Sequence, residues 1–209
     1  MTIHIFQNDL PDDLDVSKVS SVAVDTETTG LNLGRDRLCL VQLSFGDDVA
    51  HLVQFRGPGN AFDCPNLKKL LTDHDVKKIF HFARFDIAAL EHFLNIKMDN
   101  IFCTKVASKL VRTFTDRHGL RDLARDLAGV EISKQQQTSD WGMHDLTEAQ
   151  HNYAAGDVLY LHKIMDALCI LLKREKRLDF AEACFRFLPT RARLDLLKWD
   201  EDKDIFAHA

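Results

Sequence analysis

A chain of 209 residues that is 45% hydrophobic and 28% charged is long enough to bury roughly 70% of its unfolded surface, and this composition excludes wholesale disorder. Its longest apolar run, Ala167–Leu172, is far below the ~20 residues of a membrane helix, Met1–Phe6 lacks a leader pattern, and five dispersed cysteines without a Cys-x-x-Cys pair point to a reducing, cytoplasmic setting with no membrane partner and no structural zinc. The net charge of -5 is uneven, with seven basic side chains in each of residues 104–134 and 173–193, so the acidic total does not exclude nucleic acid as a partner.

Strands come first. Ile3–Phe6, Ser21–Glu27, Arg37–Phe45 and Val49–Phe55 are short, apolar or alternating, with Gly46-Asp47-Asp48 as a hairpin turn between the last two. Asn66–Thr72 reads as a short helix, Lys77–His81 as a fifth strand, and Arg84–Leu94, Thr104–Arg112 and His118–Leu127 as helices, the last closed by Gly129. Thr147-Glu148-Ala149-Gln150 is a capping box that opens one long helix to about Arg174. A final helical stretch, Lys176–Leu197, is expected to be interrupted at Pro189. A strand meander followed by alternating strands and helices predicts an α/β fold with a mixed sheet flanked by helices.

Acids fall on surfaces that ought to be apolar. A period of two puts Ala23, Asp25 and Glu27 on one face of their strand, with the carboxylates ~7 Å apart, and Val22, Val24 and Thr26 on the other. Phe82, Asp86, Ala89 and Phe93 share one helical stripe, and Asp157 sits mid-stripe among Leu146, Gln150, Tyr153, Leu161, Ile164 and Leu168. Ala154, Ala155 and Gly156 before it leave room for a close approach. Each acid alone has a plain explanation: a strand end in solvent, a helix-dipole contact, a Tyr153–Asp157 hydrogen bond. Together, four inward carboxylates need compensation, and two hard divalent cations, Mg2+ or Mn2+, neutralise them. No His-Glu-x-x-His, Gly-x-Ser-x-Gly or Walker loop is present, so zinc peptidase, serine hydrolase and nucleoside-triphosphatase chemistry have no support.

Asp25-Thr26-Glu27, Phe85-Asp86 and Tyr153-x-x-x-Asp157 resemble the three motifs of the DEDD superfamily of 3′–5′ exonucleases, in its tyrosine subfamily. From about Thr2 to Leu172, including Lys134 and Ser139-Asp140-Trp141, the chain is similar to the catalytic domain of ribonuclease D. The resemblance implies a ribonuclease H-like fold with a mixed five-stranded sheet, an exonuclease domain over residues 1–175 and a C-terminal helical extension of it over residues 176–209. It also implies hydrolytic release of 5′-mononucleotides from the free 3′ end of single-stranded RNA. Asp25, Glu27, Asp86 and Asp157 are then the metal ligands, Asp25 bridging two ions, with Tyr153 orienting the attacking water. Thr28, Gly30, Leu31, Lys134 and Trp141 are the expected substrate contacts, Trp141 either stacking on a base or packing under the long helix. Asp25-Thr26-Glu27-Thr28-Thr29-Gly30 also resembles the first motif of proofreading exonucleases, so single-stranded DNA stays open as the substrate. A catalytically silent nucleic-acid-binding module and self-association through the C-terminal segment stay open too.

Overall fold

The computed structural model describes residues 1–57, 62–133, 135–199 and 205; Lys134 lies outside the described residues. Strands β1 (Thr2–Gln7), β2 (Ser21–Thr28), β3 (Leu38–Ser44), β4 (Val49–Gln54), β5 (Lys77–Phe80) and β6 (Ile101–Cys103) form one mixed sheet in the order β1-β4-β3-β2-β5-β6. β3 pairs antiparallel with both β2 and β4, whereas β1 runs parallel to β4, and β5 runs parallel to β2 and β6. Every residue of β3 is buried, which its near-continuous apolar run, Leu38–Leu43, favours over a two-faced alternation.

The helices are α1 (Pro65–Thr72), α2 (Arg84–Leu94), α3 (Thr104–Val111), α4 (Leu120–Leu123), α5 (Glu148–Leu159), α6 (Leu161–Arg174) and α7 (Leu178–Leu196). α4 continues as a π-helical turn, Ala124–Ala128, which ends at Gly129 with φ +73°, a left-handed conformation that glycine adopts at no steric cost.

Three expectations are corrected. The sheet has six strands rather than five: β6 is three residues long, too short to show an alternation, and is recruited by parallel pairing with β5. The single long helix is two, α5 and α6, meeting at Tyr160 (φ −104°, ψ −1°). The inward stripe survives that break because Leu161, Ile164 and Leu168 remain buried, so periodicity alone did not reveal it. Pro189 does not interrupt α7, which carries it as a buried residue within a continuous helix. Burial of Ala181, Phe185 and Ala192 along the same helix holds the two halves in line despite the missing amide donor.

α7 is tied to α2 by charge. Arg193 donates from Nε and an Nη to both oxygens of the buried Glu91 carboxylate (2.8 and 3.0 Å), and Asp195 accepts from Arg84 and Arg191. Glu91 also accepts the Met98 amide at 3.0 Å, so its oxygens have partners on both sides. α2 is thereby fixed, and α2 carries Asp86.

Candidate active site

β2 sets up the site. Its pleat turns Asp25 and Glu27 to one face, as the period of two requires, and α5 crosses that face. Thr147 and Gln150 cap α5 reciprocally: the Thr147 hydroxyl accepts the Gln150 amide, and the Gln150 side chain accepts the Thr147 amide. The side-chain Nε2 of Gln150 donates to Ser139 Oγ and to the Asp140 carbonyl, tying down the loop before the helix. Ala154 and Ala155 are fully buried, letting α5 lie close against the sheet. One turn beyond Tyr153, Asp157 meets the two acids of β2. Carboxylate oxygens of Asp25, Glu27 and Asp157 all lie within 4.8 Å of one another.

Asp86 arrives from the other layer. α2 packs on the side of β2 that Thr26 faces, and the Thr26 hydroxyl donates to Asp86 Oδ1 at 2.6 Å. Asp86 is not among the three that share the 4.8 Å cluster, yet its charge is felt by all three.

Burial and mutual repulsion act in the same direction at these acids. Asp25 is raised well above the usual carboxyl range, first by burial and then by Asp86, Asp157 and Glu27. Glu27 is pushed up to about 9 by burial, then by Asp157 and Asp86. Asp86 and Asp157 are each pushed up to about 7, mainly by burial, and each is partly offset by a hydrogen bond, from Thr26 and Tyr153 respectively. Acids that resist ionisation alone, with their oxygens converged, suit a hard divalent cation, which takes oxygen ligands and restores the charged form. These side chains therefore fit Mg2+ or Mn2+.

Tyr153 is half-buried and donates to Asp157. Burial, then the charges of Asp157, Glu27 and Asp25, pushes its phenol far above the usual value. In the metal-free site the phenol thereby keeps its proton.

Trp141 is placed in the core. It is 3% exposed and its ring centroid lies 6.0 Å from that of Tyr153, so it supports the tyrosine from below and offers no face to a base; of its two expected roles, packing is the one observed. Thr28, Gly30 and Leu31 leave β2 at the open edge of the site. Thr28 Oγ1 donates to the Gly30 carbonyl at 2.6 Å, and Leu31 is 84% exposed. A Cβ on Gly30 would come within 2.3 Å of Asp36, so this glycine is required by the close approach of a side chain that caps the loop. Gly156 differs: nothing lies within 4 Å of where its Cβ would be, and its expected close approach is made instead by Ala154 and Ala155.

Two residues near the site escaped the sequence reading. Thr26 was placed on the face away from the acids, and only the arrival of α2 gives its hydroxyl a role. Gln42, fully buried on β3 and directly opposite Asp25 in register, lies with its amide nitrogen 3.4 Å from Asp25 Oδ2. A polar residue inside the apolar run of β3 was the available signal. The β-bulge at Glu27/Thr28 also belongs here, since such irregularities re-aim side chains at the end of a strand.

Residues 7–173 match the family described as 3′–5′ exonuclease. The chain belongs to the 3′–5′ exonuclease family. Among solved structures, Brucella melitensis NrnC is 53% identical over 100% of this chain and 99% of its own, with a TM-score of 0.94. Related structures of that protein are described as bound to pGG and with bound Mg2+. Ribonuclease D of Gluconacetobacter diazotrophicus is 38% identical over 76% of this chain but only 39% of its own length; the chain spans between about two fifths and a half of the length of the ribonuclease D relatives it matches. Escherichia coli RNase D, at 23% identity and a TM-score of 0.72 over 83% of this chain and 45% of its own, shares the fold. The ribonuclease H-like α/β architecture that the motifs implied is the architecture observed, with the added sixth strand. Among the described residues no helix is long and apolar enough to cross a membrane, and all five cysteines are free.

Proposed function

We propose that this chain is a two-metal 3′–5′ exonuclease that removes 5′-mononucleotides from the 3′ end of RNA, short oligonucleotides such as pGG included. The observation that carries the reading is the convergence of Asp25, Glu27 and Asp157 within 4.8 Å, with Asp86 beside them and Tyr153 donating to Asp157. Membership of the exonuclease family supports the reaction. The ribonuclease D relatives and the neighbour solved with pGG support the substrate.

Two divalent cations, when bound, supply the positive charge that activates water and stabilises the leaving oxygen of an in-line displacement. Asp25, Glu27 and Asp157 would hold one, and Asp25 and Asp86 the other. Thr26 fixes the Asp86 carboxylate and Gln42 steadies Asp25, so neither has to reorganise when phosphate arrives. Tyr153, kept protonated by its surroundings, orients the attacking water by hydrogen bonding rather than deprotonating it. Trp141 holds the tyrosine ring in place. Thr28, Gly30 and Leu31 contact the terminal nucleotide, and Lys134 a phosphate.

The test is a pair of 5′-labelled RNA and DNA oligonucleotides with free or blocked 3′ ends, and pGG, each incubated with Mg2+, Mn2+ or EDTA. A one-nucleotide ladder that needs both an open 3′ end and a divalent ion is expected, faster on RNA. Internal cleavage, or cleavage in EDTA, overturns the proposal, and equal or faster cutting of DNA overturns the choice of RNA.

A further inference from the structure

Phe82 departs from its neighbours. The sequence pattern put it on the inward stripe of α2 with Asp86, but it precedes the helix, has φ +67° and is 48% exposed. A bulky residue in the left-handed region is an outlier that persists only where its surroundings fix it, and such positions gather at ligand sites. The surroundings do fix it. On one side His81 Nδ1 shares a hydrogen bond with Thr104 Oγ1, which itself donates to the Phe80 carbonyl, and on the other Ala83 is fully buried. The Lys105 ammonium stands 4.3 Å from the centre of the Phe82 ring, a cation–π contact that holds the ring out in solvent.

Topology says what the ring faces. β2, β5 and β6 are adjacent and parallel, so their carboxyl ends share one edge, and sheets of this kind take ligands outside that edge. The chain leaving β2 supplies residues 28–31; that leaving β5 supplies Phe82 and, one helical turn on, Asp86; that leaving β6 supplies Lys105. Neighbouring strands are ~4.8 Å apart. The register pairs Ala23 with Ile79, so the chain leaving β5 comes level with Asp25 and Thr26, beside the acids, while residues 28–31 project beyond it. A nucleic-acid strand whose terminal nucleotide rests against residues 28–31 and whose last phosphodiester meets the acids brings its preceding nucleotide past them toward Phe82.

We propose that Phe82, backed by Lys105, is the stacking platform for the base of the nucleotide that precedes the 3′-terminal one. The proposal rests on the exonuclease reading of the same cleft and adds a residue outside its acidic motifs. An aromatic ring stacks on any base, so the platform gives grip without sequence preference, and the adjacent ammonium offers a phosphate contact.

The test compares the unaltered protein with Phe82→Ala and Phe82→Trp. An oligonucleotide carrying 2-aminopurine at the penultimate position is bound with Ca2+ as the divalent ion, and its fluorescence quenching reads the stack directly. Hydrolysis is then measured on a normal substrate and on one abasic at that position. Phe82→Ala is expected to lose the quenching and to raise KM roughly five- to a hundredfold with little change in kcat. Phe82→Trp should keep both, and the abasic substrate should respond to neither change. Quenching that persists in Phe82→Ala, or an equal loss on the abasic substrate, overturns the platform. Quenching by a protein that cuts nothing would leave the platform standing and refute the exonuclease reading.

Discussion

At the scale of single residues, the site is a set of acids that are unfavourable until a cation arrives, served by neutral partners. Tyr153 shows the division of labour. Its phenol is driven upward by burial and by three carboxylates, and in the proposed reaction its hydroxyl orients the attacking water. Tyr153→Phe removes that hydroxyl and leaves the ring against Trp141. We expect kcat to fall by about 100-fold or more, while Mn2+ affinity by calorimetry and KM change little. Unchanged kcat would show that the hydroxyl orients nothing. Asp25, Glu27 and Asp157 were legible in the sequence because strand and helix periods are strict enough to mark an acid on an inward face. Phe82 was misplaced for a related reason: a stripe drawn at 3.6 residues takes no account of where the helix starts. Thr26 and Gln42 left little trace, since their partners come from other elements. Trp141 satisfied two readings equally well until its burial was seen.

Elements were legible in proportion to the length over which their pattern repeats. β2 and α2 were placed to within a residue or two because their strand and helix periods run the whole length of each element. β6, at three residues, has no period to read and exists because β5 offers it an edge. The junction of α5 and α6 at Tyr160 was hidden because the buried residues of α6 continue the stripe of α5, although α5 packs on the sheet and α6 mainly on α3. The capping box was legible and its role is now specific: it starts the helix that delivers Asp157 and, through Gln150, anchors the Ser139–Asp140 segment. Thr147→Ala removes one half of the box. It should cost about 1 kcal/mol of stability, read as a lower urea midpoint with an unchanged slope. A substantially larger loss would mean that the whole segment before α5 detaches with the cap.

Across the molecule, a sheet edge and two helical layers bring acids from β2, α2 and α5 to one place, and α7 holds α2 through Glu91 and Asp195. The consequence for stability has a definite sign. Carboxyls raised in the fold, to about 7 for Asp86 and Asp157 and to about 9 for Glu27, retain protons where the unfolded chain, titrating near ~4, has lost them. The acids' contribution to metal-free stability therefore falls as pH rises from the ordinary carboxyl range through about 7 to about 9, while histidines lowered by burial, His81 and His162 among them, oppose it below their ordinary value. Thermal melts in EDTA should show Tm decreasing from pH 7 to pH 9, where the histidines no longer oppose the acids, with added Mg2+ restoring far more at the alkaline end. A Tm in EDTA that rises across this range would mean that the acids are not under mutual strain. The most direct test of the whole account is anomalous diffraction from crystals grown in Mn2+. Two peaks about 4 Å apart, with Asp25 between them and Glu27, Asp157 and Asp86 around them, are the predicted result. No manganese beside these carboxylates, at saturating ion and alkaline pH, would contradict it.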